Sequence, residues 1–197
     1  MIQLIFAYCP TKTVDNKNEF AFGLNTGLPW GHIKQDMQNF ASRTKDTVLI
    51  MGAKTFMSLR GKLHGRSHIV VQDFSRPYAK TKSGETADLY ITETQFQIFL
   101  EGNKVQVSGH DFGYNCFIQR DDSCYSVIGG AHIIEHSRIY ADKIICTTIR
   151  KKHRVNSDIK LSADFIWNIS EDMELVETHW YNIDELTNIS EDVYERA

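Results

Sequence analysis

Short runs of β-forming residues alternate with helix-type patterns along this chain, and that alternation limits the possible folds more than any other feature. The runs are IQLIFAY (2–8), TVLIMG (47–52), HIVVQD (68–73), DLYIT (88–92), YSVIGG (125–130), KIICTTI (143–149) and ELVETHWYNI (174–183), with a last candidate near EDVYER. Three are almost wholly apolar, which marks central strands covered on both faces. Helical patterns fall between several of them, at 33–44, 54–59, 93–100 and 131–140. Strands alternating with helices predict an α/β sheet that is largely parallel at its start. The last strands follow one another without an obvious helix, so an antiparallel hairpin is expected at one edge.

Composition narrows the class. A length of 197 residues with 42% hydrophobic and 24% charged content suits one well-packed domain, expected to span 1–197. No Pro-, Gly- or Ser-rich linker divides it, and 76–86 and 109–123 read as surface loops. The net charge of −3 favours neither nucleic acid nor an anionic membrane as a partner. No apolar run approaches the ~20 residues of a membrane span. The opening MIQLIFAYCP lacks a basic leader and reads as a buried strand rather than a signal peptide. Cys9, Cys116, Cys124 and Cys146 form no CxxC pair, so reduced thiols in a cytoplasmic protein are expected rather than a zinc knuckle. NISED occurs at 168–172 and 188–192, where a Ser before two acids resembles a helix or turn start.

The stretch GLPWGHIKQDMQNF carries the first chemical signal. Ile33, Met37 and Phe40 fall at i, i+4 and i+7, the inward stripe of an amphipathic helix. Asp36 sits on that stripe, where an ionised carboxylate is costly to bury unless something pairs with it. Two glycine sites follow strands. Gly52 ends one, with Lys54 and Thr55 opening a helix, and Gly129-Gly130 ends another. Turns of this kind either reverse the chain tightly or bring backbone N–H groups to the phosphates of a dinucleotide. The Gly pair does not match G-x-G-x-x-G, which disfavours a Rossmann domain. Arg66 precedes a strand and is either a solvated surface residue or a bidentate grip on a carboxylate. His132 and His136 are four residues apart, but the residues between them do not form a metalloprotease motif, and no metal is expected. RKKHR (150–154) reads as a solvated strand end.

In order along the chain, GLPW with an acid six residues after Trp30, then IMGAKTF, GRSHIVV and VIGG resemble the dihydrofolate reductase family. PTKTVD, FGL, HRVNS and VETHWY add a likeness to the T-even-type bacteriophage form of that family. The resemblance spans residue 1 to about 184. It implies a single α/β domain with an eight-stranded, mostly parallel sheet, an antiparallel C-terminal strand and helices on both faces. It also implies NADPH-dependent reduction of 7,8-dihydrofolate, by a monomer or homodimer in the cytoplasm, the host's if phage-encoded. By the match, Asp36 holds the 2-amino group and N3 of the pterin, and Thr147 buttresses that pair. Ile5, Ala7, Phe40, Leu59, Leu63 and Ile128 line the substrate pocket, and Arg66 takes the glutamate α-carboxylate. An apolar pocket is expected to raise the Asp36 pKa to roughly 6.

Residues 22–28 match the loop that closes over the nicotinamide. Phe22 and Gly23 stand at its start, and Leu28 and Trp30 at its catalytic inner end. Ala7, Gly52, Lys54, Thr55, Val71, Gln72, Ile128, Gly129, Gly130, Ala131, His132 and Ile133 would face NADPH. Three departures from the family stand out. The segment 8–19 is longer, Ile134 replaces a Tyr near the nicotinamide, and Gln72-Asp73 replaces a Ser-containing pair at the 2′-phosphate. A pyrimidine reductase of riboflavin-type synthesis on the same fold, or a binding module with vestigial catalysis, are the alternatives. Neither needs Asp36 together with Arg66.

Overall fold

A computed structural model describes residues 1–108 and 115–196. The chain opens with β1 (Ile2–Lys12), which turns back as β2 (Asn18–Gly23). Next come α1 (Lys34–Arg43), β3 (Val48–Gly52), α2 (Ala53–Ser58) and β4 (His68–Val71). β5 (Leu89–Ile91) leads into α3 (Glu93–Leu100), followed by the small hairpin of β6 (Val105–Ser108) and β7 (Asn115–Ile118). β8 (Tyr125–Gly129), α4 (Ala131–Ser137) and a 3-10 turn (Arg138–Tyr140) then lead to β9 (Lys143–Lys151). The last elements are β10 (Ile159–Leu161), α5 (Ala163–Trp167), β11 (Met173–Asp184) and β12 (Thr187–Arg196).

Eight strands run in the order β11-β12-β9-β1-β8-β3-β4-β5, while β2 pairs with β1 and β10 with β2. All pairings from β9 through β5 are parallel, whereas β12 runs antiparallel to β9 and β11 antiparallel to β12. The expected α/β architecture and its antiparallel edge are therefore present. β1 shows why helices cover both faces. Its Ile2, Leu4 and Phe6 join the core made with Phe96, Phe99, Ile134 and Phe165 of α3, α4 and α5. Its Ile5 and Cys9 point the other way, towards Phe40 of α1 and towards Ile33 just before that helix. A period of two in the strand thus feeds two cores.

Several expectations are corrected. Residues 22 and 23 belong to β2 rather than to a loop, because the lengthened segment after Tyr8 folds back on β1 as a hairpin. Within 109–123, Asn115–Ile118 is a strand paired with β6, and 109–114 lie outside the described residues. β10 and α5 intervene between β9 and β11, where no helix was expected. The second NISED lies inside β12, since its Ile189 packs inward and tertiary pairing overrides the local turn preference.

Local capping is well formed in α3. The Thr92 side chain accepts from the Gln95 N–H and the Gln95 side chain accepts from the Thr92 N–H. Thr92→Ala removes one half of this reciprocal pair and should cost about 1 kcal/mol in chemical denaturation. Catalytic constants should be unchanged, because α3 lies across the sheet from the cleft described next.

Candidate active site

Three rows of side chains cross the sheet beneath α1. The register aligns Ile5 with Ile145 and Ala7 with Thr147 between β1 and β9. Between β9 and β12 it aligns Ile145 with Val193, Thr147 with Glu191 and Ile149 with Ile189. Trp30 and Ile33 pack with Cys9, Ile149 and Ile189, and Phe40 packs with Ile5, Ile145 and Val193. Asp36 lies between Ile33 and Phe40 on the helix, so it falls over the middle row, Ala7–Thr147–Glu191. That is the row with polar side chains.

Asp36 is 5% exposed. Its pKa is raised from 3.8 to about 6, first by burial and then by the nearby Glu191 carboxylate. The first turn of α1 opposes this, since a helix N-terminus favours an anion by about 0.3–1 kcal/mol. A rise of about two pH units corresponds to about 3 kcal/mol, so burial wins. The direction agrees with the expectation from the apolar stripe. Next to Ile33, the buried Trp30 Nε1 has no hydrogen-bond acceptor among the described residues.

The expected apolar wall is contiguous. Ile128 packs with Ile5 and Phe40 in one cluster and with Leu59, Leu63 and Phe56 in another. Arg66 stands at the far end, where its Nη1 donates to Thr44 Oγ1 at 2.6 Å. Thr44 is the C-cap of α1. It lies eight positions past Asp36, about 12 Å along a helix. The Leu63 N–H donates to Nε2 of the buried His68 at 3.0 Å, and Lys62 Nζ to Asp88 at 2.5 Å, so the segment carrying Leu63 and Arg66 is tied to the sheet.

The glycine sites converge at the carboxyl ends of neighbouring parallel strands. Met51 aligns with Gly129 across β3 and β8, and Gly52 aligns with Val71 across β3 and β4. Gly129 has φ of +150°, and a Cβ built there would lie 3.1 Å from Thr55 Oγ1. A Cβ on Gly52 would lie 3.7 Å from the Gly130 nitrogen. Gly52 thus faces the Gly130 backbone and Gly129 faces the Thr55 side chain, which leaves main chain uncovered by side chains of its own, as a ligand approaching N–H groups closely requires, such as a pyrophosphate. Thr55 is half-buried and Lys54 exposed at its rim, with Ala131 opening α4 beside it. Leu28 is exposed at the end of the loop after β2, whereas Ala7 packs with Trp30 and Ile33.

Some predicted contacts point elsewhere. Gln72 is buried, but its Oε1 accepts from the Ala79 N–H at 2.9 Å and so holds its own loop. Asp73 accepts from the Ser75 N–H at 2.8 Å, and this bond keeps its carboxyl below the usual range. His132 meets Glu93 at 2.6 Å across to α3. Ile134 is fully buried in the core on the opposite face of the sheet, because α4 turns that side inward. It is core rather than a replacement for a cleft Tyr. Ile133 is also buried, with its Cγ1 3.6 Å from a Cβ built on Gly52.

Sequence reasoning missed Glu191 and Arg43. Glu191 is 2% exposed. Arg43 donates to its Oε1 from Nε at 3.1 Å and from Nη2 at 2.8 Å, and also from Nη2 to Glu177 Oε2 at 2.8 Å. The alternation Ile189–Glu191–Val193 was the available signal, because it turns the Glu to the same face as two buried aliphatics.

The fold is α/β, and the residues gathered here lie towards the carboxyl ends of parallel strands, where such sheets bind ligands. The dihydrofolate reductase family model matches residues 11–187. Dihydrofolate reductase type 9 of Escherichia coli is 29% identical over 147 residues, covering 75% of this chain and 73% of that one. Type A10 of Escherichia coli is 26% identical over 161 residues, covering 80% and 74%. The dihydrofolate reductase from Enterococcus faecalis, solved in complex with NADP(H) and RAB-propyl, superposes with a TM-score of 0.68 at 19% identity, covering 100% of this chain and 96% of that one. The chain belongs to the dihydrofolate reductase family.

Proposed function

We propose that this chain, acting as one domain over residues 1–197, reduces 7,8-dihydrofolate to 5,6,7,8-tetrahydrofolate with NADPH. The observation that carries the reading is the single acid of α1, Asp36, buried over Thr147 at one end of an apolar wall whose other end carries Arg66. A flat heterocycle with amidine-type N–H groups answers Asp36, and a carboxylate at the far end of the wall answers Arg66. Ile5, Ala7, Phe40, Leu59, Leu63 and Ile128 would enclose the ring system and linker between them.

When bound, NADPH supplies the hydride for C6 of the pterin. The chain's own residues orient and exclude. Ionised Asp36 accepts from the 2-amino group and N3, fixes the ring and favours a proton on N5. That proton comes from solvent, because Asp36 lies on the other side of the ring. Leu28 and Trp30 close the nicotinamide side against water. The backbone around Gly52, Gly129 and Gly130 would receive the pyrophosphate, with Thr55 at its rim. Loss of absorbance at 340 nm on mixing purified protein, dihydrofolate and NADPH tests the reading. Absence of turnover by folded protein at micromolar concentration would refute it.

The cofactor preference follows from the strand ends. β3 and β4 end in register at Gly52–Val71; Lys54 follows in α2 and Asp73 two residues past β4. An exposed carboxylate already held by the Ser75 N–H repels a 2′-phosphate weakly, and exposed pairs contribute only about 0–1 kcal/mol. NADPH should therefore be favoured over NADH by a narrow margin. Lys54→Ala should erase most of it and Asp73→Ser should widen it. An unchanged NADPH/NADH ratio of kcat/KM in Lys54→Ala would move the phosphate elsewhere. The motifs shared with T-even-type phage forms support action in a host cytoplasm, in tetrahydrofolate supply for thymidylate and one-carbon metabolism. No helix among the described residues is long and apolar enough to cross a membrane.

A further inference from the structure

Beneath α1 the sheet holds a second buried acid that the reaction outlined above does not use. Glu191 is in register with Thr147, the residue beneath Asp36, and both share the face covered by α1. An unpaired carboxylate at 2% exposure would be strongly destabilising. Arg43 supplies the missing charge with two hydrogen bonds to one oxygen. Arg43 is seven residues after Asp36, so both leave the same side of the helix. The end of α1 is itself pinned, because Gln3 Nε2 donates to the Arg43 carbonyl at 3.0 Å. The guanidinium is therefore held over Glu191 by backbone as well as by its own contacts.

We propose that Glu191, clamped by Arg43, is a positioning residue for this site: its fixed negative charge beside Thr147 sets the pH at which Asp36 gives up its proton. The inference rests on the role given to Asp36 above. Two carboxylates share one low-dielectric patch here, and Arg43 is bonded to Glu191. Asp36 is left with the residual field of the pair and with its own burial, which raise its pKa together. Other charged and titratable groups stand around the patch, among them Tyr181 of β11, which packs against the Ile149–Ile189 row. Glu177 on β11 shares Arg43 but is exposed, and His179, in register with Glu191, leans on Glu177 at 3.2 Å. The Cys9 thiol lies one row away, and burial keeps it protonated. β9 presents Ile145, Thr147 and Ile149 on this face, none of which titrates.

Glu191→Gln keeps the shape and an oxygen for Arg43 while removing the charge. In ligand-free protein the Asp36 carboxyl, assigned by 13C NMR through its absence in Asp36→Asn, should titrate about 0.5–1 pH unit lower. The acid limb of kcat/KM for dihydrofolate should move by the same amount. The double variant Glu191→Met/Arg43→Met removes the pair without leaving a buried charge, and such replacements are commonly tolerated. It should shift the midpoint in the same direction, and it decides the matter if Glu191→Gln does not fold. Glu177→Gln, at the exposed end of the clamp, should leave the midpoint in place. A midpoint within about 0.2 unit of wild type in the decisive variant, or an equal shift in Glu177→Gln, would overturn the proposal. Failure of the underlying reading looks different: Asp36→Asn would remain active while the ligand-free titration still responded to Glu191.

Discussion

Asp36→Asn should fold normally and lose dihydrofolate reduction by a factor on the order of 10² or more at neutral pH. The amide keeps the shape and one acceptor oxygen but removes the charge that favours a protonated N5. The same substitution should stabilise the ligand-free protein, with a sign set by the raised pKa. The folded state binds the Asp36 proton more tightly than the unfolded chain, since the pKa is about 6 against 3.8. Stability from this group is therefore fully present below about pH 4 and is lost as the pH rises to about 6. The loss has a ceiling of about 3 kcal/mol at neutral pH. Asp36→Asn escapes this penalty, so its advantage in Tm over wild type should be larger at pH 8 than at pH 4. An active site that destabilises its own fold is a familiar trade between stability and activity. Activity within twofold of wild type across the pH range would sink the role given to Asp36, whatever the stability data show.

Arg66→Leu should act at the opposite end of the cleft and on binding rather than on chemistry. Its Nη1 already rests on Thr44 Oγ1, the capping residue of α1, which fixes the side chain against the helix end. A charge-assisted pair to a substrate carboxylate is worth about 1.5–3 kcal/mol. Its loss should raise KM for dihydrofolate by about 10- to 150-fold with kcat nearly kept. A reduced pterin lacking the glutamate tail makes the discriminating comparison, because it has no carboxylate for Arg66 to hold. Equal losses for both substrates would mean that the variant has disturbed the 62–66 segment rather than removed a contact. The ties from Leu63 to His68 and from Lys62 to Asp88 argue that the segment survives the change.

Much of this was legible in one dimension. The alternation of apolar runs with helical stripes determined an α/β sheet, its parallel start and its antiparallel edge, because burial on both faces leaves a period that survives in any context. The stripe 33–37–40 singled out Asp36 for the same reason: an acid among inward aliphatics stands out before any contact is known. Residues whose neighbours arrive from distant segments were not legible. The added hairpin after Tyr8 and the strand through the second NISED depend on pairing partners far along the chain, and pairing overrode their local turn signals. The family resemblance implied Gln72 and His132 at a cofactor site and Ile134 in place of a Tyr beside it, yet the fold turned them to a loop, to α3 and to the far core. Glu191 and Arg43 are the sharpest case. The two residues are 148 positions apart, and only the β9–β12 register and the pinned end of α1 bring them together beneath Asp36. Residue type and period decide what must be buried; which charges then share one dry patch, and so tune each other, is decided by tertiary contact alone.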